Sequence, residues 1–200
     1  QETLFPYTTL FRSPKSLELA KLKSQKDNPW FTIDQIEQAL LAISEEFLQM
    51  DKLKSWVSNY AFDTSSKKRV GLIMAGNLPL VGFHDWLSIF VSGHLAIVKL
   101  SSKDQYLFPA IIDFLNGLRL KGGNHTIISE KLPEIDAIIA TGSNNSNRYF
   151  SYYFGHLPHL FRGHRNSIAV VPPDVSDEEL NGLGDDVFLY FGLGCRSVSL

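Results

Sequence analysis

The sequence predicts an α/β fold: a mostly parallel sheet of about five strands with helices on both faces, preceded by N-terminal helices. Three observations carry that expectation. Short, nearly continuous apolar runs recur at 70–74, 95–100, 126–129, 135–140 and 167–171, as strands buried on both faces require. Between them lie longer segments whose apolar residues repeat at helical spacing. Strand–helix alternation of this kind belongs to parallel sheets. With 200 residues, 44% apolar and 20% charged, the chain has the make-up of one ordinary domain, or one and a fraction.

Residues 14–27 are charged and weakly periodic, and are expected to be helical. Residues 32–50 are clearer. Ile33, Ile36, Leu40, Ile43, Phe47 and Met50 recur at spacings of three and four, one stripe of a helix, and the stripe reads as packing surface. Thr32 with Gln35 forms a capping-box start. The polar stretch 63–69 reads as a linker. After the strand at 70–74, residues 79–92 read as a helix closed by Gly93. Strand 95–100 leads to a helix over 103–120 with Leu107, Ile111, Phe114, Leu115 and Leu118 inward. Strands 126–129 and 135–140 follow with a short link, so one crossover helix is expected to be reduced or missing. Residues 144–154 are a further helix, 167–171 the fifth strand, and Ser176 with Glu179 caps a last helix running toward Tyr190.

Composition excludes several classes. One cysteine, Cys195, forms no internal disulfide. A net charge of −2 leaves no basic surplus for a phosphate backbone, so no nucleic-acid partner is expected. The most apolar stretch, 70–91, is broken by Asn77, Pro79, His84 and Asp85, so no membrane span is expected. No secretory leader pattern is seen, and the expected location is the cytoplasm. No CxxC, HExxH or EF-hand pattern occurs, so no metal site is expected. Neither a Walker loop nor GxGxxG is present, so a nucleotide site would use another loop.

Four segments carry chemistry. In GLIMAGNLP, 71–79, Asn77 stands at the mouth of a strand, where its amide suits an oxyanion, or simply a turn or helix cap. In GHLAIVKLSS, 93–102, Lys99 ends a strand and two hydroxyls follow, which suits a ribose or phosphate; a solvated lysine would look the same. In TGSNNSN, 141–147, glycine and small polar residues enter a helix N-terminus, an anion cradle or an ordinary tight turn. In FGLGCR, 191–196, Cys195 lies between Gly194 and Arg196. A lone cysteine is commonly a small buried hydrophobe, but an adjacent arginine lowers a thiol pKa and glycine permits close approach of substrate.

The order of these four elements resembles the aldehyde dehydrogenase superfamily over about 14–200. The stretches MAGNLPLVGFHDWLS, GHLAIVKLSSKD, ATGSNNSNRYF and YFGLGCR are similar to those of the luminescence-type (LuxC-like) acyl-CoA reductases. The resemblance implies a Rossmann-like cofactor domain, with Cys195 as nucleophile and Asn77 with the Cys195 N–H as oxyanion hole. It implies that Lys99 and Ser101 hold the adenosine ribose and that Gly142 and Ser143 lie against the pyrophosphate. Ser102 stands where many NAD-preferring members carry a glutamate for the ribose 2′-hydroxyl. That favours NADPH, with NADH possible. In oxidising members a glutamate activates the hydrolytic water; here Phe161, in FRGHR, holds its place, and a phenyl ring is no base. The pattern departs at the second glycine of the Gly-Ser-Thr-x-x-Gly element, with Asn147 nearby.

The expected activity is NADPH-dependent reduction of a fatty acyl-CoA (or acyl-protein) thioester to an aldehyde through an acyl-cysteine. The alternatives are NAD(P)-dependent oxidation of aldehydes to acids, and a catalytically incomplete nucleotide-binding fragment. His164 is a candidate proton donor, His84 and Asp85 lie in a family-like block without a role, and His156 and His159 read as loop. The aromatic run of Tyr149, Phe150, Tyr152, Tyr153 and Phe154 reads as core, or as a surface for adenine or an acyl chain. The expected organisation is a helical segment at 14–65, a dinucleotide-binding domain at 66–190, and the start of a catalytic domain at 191–200. Residues 3–13, TLFPYTTLFRS, resemble a translated sequencing adapter, so 1–13 are expected to be a non-native tail. Most of the catalytic domain is expected to be missing, and the 200-residue fragment itself to be inactive. The full-length protein is expected to be a homo-oligomer.

Overall fold

The structure is a computed structural model that describes residues 15–61, 66–117 and 125–194. The expected non-native tail, the inward Leu118, part of the 63–69 linker and the candidate nucleophile Cys195 lie outside the described residues.

Three helical pieces precede the sheet. Helix α1 (Lys15–Asp27) buries Leu17, Ala20, Lys21 and Ser24, one stripe at spacings of three, one and three. Lys21 survives burial because its ammonium reaches Glu18 at 2.7 Å and Glu37 at 2.5 Å. The single helix expected over 32–50 is instead two. Helix α2 (Ile33–Ala42) starts at Thr32, whose hydroxyl accepts the Gln35 N–H at 3.3 Å. It widens into a π-turn at Ile43–Phe47, and a new helix, α3 (Met50–Ser58), begins after Gln49. The extra residue in a π-turn shifts the helical phase. Leu48 thereby becomes buried, while Phe47 is left half-buried.

Strand β1 (Arg69–Ile73) opens the sheet. Helix α4 (Phe83–Val91) follows, starting later than expected because 77–82 fold into turns. Gly93, at φ +79, ends that unit in the left-handed conformation that suits glycine. Next come β2 (Leu95–Lys99), α5 (Leu107–Gly117), β3 (Thr126–Ile128) and β4 (Ala137–Thr141). No helix joins β3 to β4, in line with the short link in the sequence. Helix α6 (Asn144–Phe154), β5 (His159–Arg162) and α7 (Asp177–Phe188) complete the order, α7 with the full Ser176–Glu179 capping box.

The fifth strand is a correction. It is His159–Arg162, paired in parallel with β4 from Ile138↔His159 to Thr141↔Arg162. The apolar run at 167–171 forms no strand of the sheet, only an isolated bridge residue at Ser167, and Ile168 is 80% and Val170 88% exposed. Apolar composition alone marks a strand only where a neighbouring edge is open to pair with it. Here the polar segment HLFR reaches that edge first.

All neighbouring strands are parallel, in the order β3-β2-β1-β4-β5. Alternation sends Val70, Leu72, Ala96 and Val98 to one face, with Leu17, Ile36, Trp86 and Leu107. Ile97, Ile138 and Ala140 go to the other, against Phe150, Phe154 and Phe161. The N-terminal helices thus share a core with the sheet.

Candidate functional site

The carboxyl ends of parallel strands converge on one edge, here at Ile73, Lys99, Thr141 and Arg162. The chain runs outward from β1 through β2 to β3, then returns to the other side of β1 with β4. A parallel sheet opens a ligand crevice at such a reversal.

At the end of β1 the chain turns sharply. The Met74 N–H still donates to the Lys99 carbonyl at 3.0 Å, so β1 and β2 separate only afterwards. Gly76 is then pressed onto the β2 loop: a Cβ there would stand 2.4 Å from Ser101 Oγ. Asn77 follows, exposed at the mouth. Leu80 takes a φ of +55, costly for a branched side chain, and its N–H donates to buried Asp104 Oδ2 at 2.8 Å. Burial pushes the Asp104 carboxyl up to about 6, against the pull of the Leu80 and Leu107 N–H groups. Asp104 therefore stands beneath the turn that presents Asn77.

The chain returns to the same place at its far end. Gly194, at φ +105, abuts Leu78: a Cβ on it would lie 2.7 Å from Leu78 Cδ1. Phe191 packs edge-on against Trp30, with ring centres 5.1 Å apart. The residue that precedes Cys195 therefore contacts the residue that follows Asn77, although 116 positions separate them in sequence.

Beside this mouth lies a cleft of about 480 Å³, lined by Lys99, Leu100, Ser102, Gln105, Pro109, Ile128 and Glu130. Lys99 Nζ donates to the Glu130 carbonyl at 2.5 Å. Ser102 lines the cleft, whereas the Ser101 hydroxyl accepts the Lys103 N–H at 3.2 Å and packs on Gly76.

On the β4 side, the Gly142 N–H donates to the Arg162 carbonyl at 3.1 Å, and a Cβ on Gly142 would meet Ser146 at 2.8 Å. Ser143 caps α6 by accepting the Ser146 N–H at 3.1 Å. The loop after β5 lies against the same first turn. A Cβ on Gly163 would stand 2.8 Å from Asn147, and the His164 N–H donates to Asn144 at 3.4 Å. Phe161 points into the α6 layer, stacked on His159 with ring centres 4.3 Å apart and near Phe150.

Two acidic groups have partners that the sequence did not reveal, Asp85 having been marked only as part of a family-like block without a role. Asp85 is buried, and burial alone would raise its carboxyl. Hydrogen bonding and charge from His84 and Arg162 hold it below the ordinary value, with Arg162 Nη2 3.0 Å away. Asp104 is the other. Neither carries a local signal: Asp85 and Arg162 stand 77 positions apart, and an aspartate after Ser-Ser-Lys reads as surface. Among the described residues, no group of three or more metal-ligating side chains is gathered, and no helix is long and apolar enough to cross a membrane.

No family model matches the sequence, and neither does any curated protein. Solved structures do. Aldehyde dehydrogenase from Bartonella henselae superposes with a TM-score of 0.66 at 15% identity, covering 96% of this chain and 49% of that one. The aldehyde dehydrogenase KauB from Pseudomonas aeruginosa gives 0.63 at 14%, covering 96% and 43%. The fold is an aldehyde dehydrogenase fold. Aldehyde dehydrogenase C from Pseudomonas syringae, a C291A mutant solved with NAD+ and octanal, gives 0.58 at 14%, covering 94% and 46%. This chain therefore spans less than half the length of each of these aldehyde dehydrogenase chains.

Proposed function

We propose that this chain is the cofactor-binding part of an acyl-CoA reductase, which converts a fatty acyl-CoA or acyl-protein thioester to an aldehyde with a reduced nicotinamide dinucleotide, NADPH or NADH. The observation that carries the reading is the contact of Gly194 with Leu78. It draws together, at the mouth of β1, a segment leading to a cysteine and a segment bearing a side-chain amide. Such a pair suits a nucleophile and an oxyanion donor.

The site fits a dinucleotide. Lys99 and Ser102 line a cleft at the ends of β2 and β3, of a size for a nucleoside. Gly142 brings backbone close to the start of α6, where free N–H groups favour an anion. Lys99 and Ser102 would hold the ribose, with Ser101 shaping the loop behind them, and Gly142 and Ser143 would meet the pyrophosphate. When bound, the nicotinamide would supply a hydride to the thioester carbon.

The chain's own residues do the rest. The Cys195 thiolate attacks the thioester carbonyl, the carbonyl oxygen takes up negative charge, and the Asn77 amide with the Cys195 N–H stabilises it. Collapse expels the CoA thiolate and leaves an acyl group on sulfur. Phe161 supports a reductive fate for that acyl group. Its ring is turned to Phe150 and His159, so that position offers no carboxylate to activate water. After hydride uptake the same two N–H donors hold the new oxyanion, the C–S bond breaks, and the aldehyde leaves with the thiolate restored.

A second reading, oxidation of an aldehyde to an acid, is favoured by the names of the neighbouring structures. It requires a water-activating base that Phe161 does not supply. The test uses the uninterrupted reading frame containing these residues, with a long-chain acyl-CoA and no NADPH. An intact mass raised by one acyl group, unchanged in Cys195→Ala and discharged as aldehyde on adding NADPH, is the expected result. An unmodified mass across several chain lengths refutes the acyl-CoA reading. Turnover of aldehyde with NAD would then support the second.

A further inference from the structure

The cleft beside β2 holds one carboxylate that no motif accounts for. Glu130 stands two residues beyond the end of β3, on the lip across from the end of β2. Its carboxylate Oε2 is 3.8 Å from Lys99 Nζ, and its side chain is almost fully exposed. The same ammonium donates to the Glu130 backbone carbonyl at 2.5 Å. The other lining residues, Leu100, Ser102, Gln105, Pro109 and Ile128, are uncharged. The lining thus carries one cation and one anion, already in contact.

The two nicotinamide dinucleotides differ only in the adenosine ribose 2′ substituent, a hydroxyl or a phosphate close to dianionic at neutral pH. A carboxylate accepts a hydrogen bond from a hydroxyl but repels a phosphate. A phosphate would also have to compete with that carboxylate for Lys99. Ser102 supplies no charge of either sign, so the balance falls to the Lys99–Glu130 pair.

On the reading that this cleft takes the adenosine ribose, we propose that Glu130 sets the choice between NADH and NADPH by sharing Lys99. The backbone contact makes this separable from structure. The Glu130 carbonyl anchors the lysine whatever side chain stands at that position, so removing the carboxylate frees charge without releasing the ammonium.

The test is calorimetric titration of NADH and NADPH into the chain and into Glu130→Gln and Glu130→Ala, each checked by circular dichroism. Because the pair is exposed and screened, removing the carboxylate is expected to shift the NADPH-to-NADH affinity ratio about two- to fivefold toward NADPH. Raising the salt concentration should shrink that shift. An unchanged ratio in both variants, with both dinucleotides still binding, overturns the role of Glu130 and leaves the cofactor cleft standing. A wild-type chain that binds neither dinucleotide overturns the cleft and the inference together.

Discussion

Replacing Asp104 by asparagine tests the construction of the turn that presents Asn77. The carboxyl is 6% exposed, and burial pushes it up to about 6 from an ordinary 3.8. A carboxylic acid that ionises later in the folded chain than in the unfolded chain costs the fold free energy once it is charged. A rise from 3.8 to about 6 corresponds to about 3 kcal/mol at full ionisation. The sign follows directly. Below pH 3.8 the group is protonated in both states and the cost is absent; it grows as pH rises and is complete above about 6. The asparagine side chain keeps the shape and an acceptor for the Leu80 N–H but carries no charge. Relative to Asp104→Asn, the wild-type chain should therefore lose about 2–2.5 kcal/mol of stability between pH 4 and pH 7. The assay is urea unfolding at half-unit pH steps, followed by tryptophan fluorescence, since Trp86 is 1% exposed. Parallel stability curves for the two proteins, or a gap that moves the other way, would refute the argument that burial governs Asp104.

Two further perturbations probe other parts of the site. Arg162→Met strands the Asp85 carboxylate without its guanidinium, and since Arg162 is itself half-exposed the loss should be about 1–2 kcal/mol. Adding Asp85→Asn should return most of that stability in a double-mutant cycle, and purely additive effects would mean that the 3.0 Å contact contributes nothing. Gly76→Ala drives a methyl to 2.4 Å from Ser101 Oγ, so Tm should fall by about 3–10 °C, with Ser101→Gly recovering part of it. A Tm that does not move would show that the β1 turn and the β2 loop separate freely.

Local pattern made most of the architecture readable. Runs such as VGLIM and LAIVK are too short and too uniformly apolar for anything but doubly buried strands. Caps at Thr32 and Ser176 set helix starts because a hydroxyl three residues before a free N–H satisfies it wherever the helix later packs. The π-turn after Ala42 was not legible, since the stripe continues through it, and the phase shift follows from burying Leu48 against the shared core. The edge strand was misplaced for a related reason. The run SIAVV has the composition of a strand, yet pairing depends on which segment reaches β4, a matter of chain path.

The same division holds for the candidate site. By itself the sequence determined which chemistry stands at each strand end: an amide after β1, a lysine with hydroxyls after β2, glycine and serine after β4. Each belongs to one strand–turn–helix unit, and short-range geometry carries it there. Only the tertiary structure decided what those groups meet. It set Gly194 on Leu78, Glu130 on Lys99, Arg162 on Asp85 and Asp104 under Leu80. These pairs lie from 24 to 116 positions apart. Such contacts follow from the order of strands in the sheet, which no local periodicity encodes.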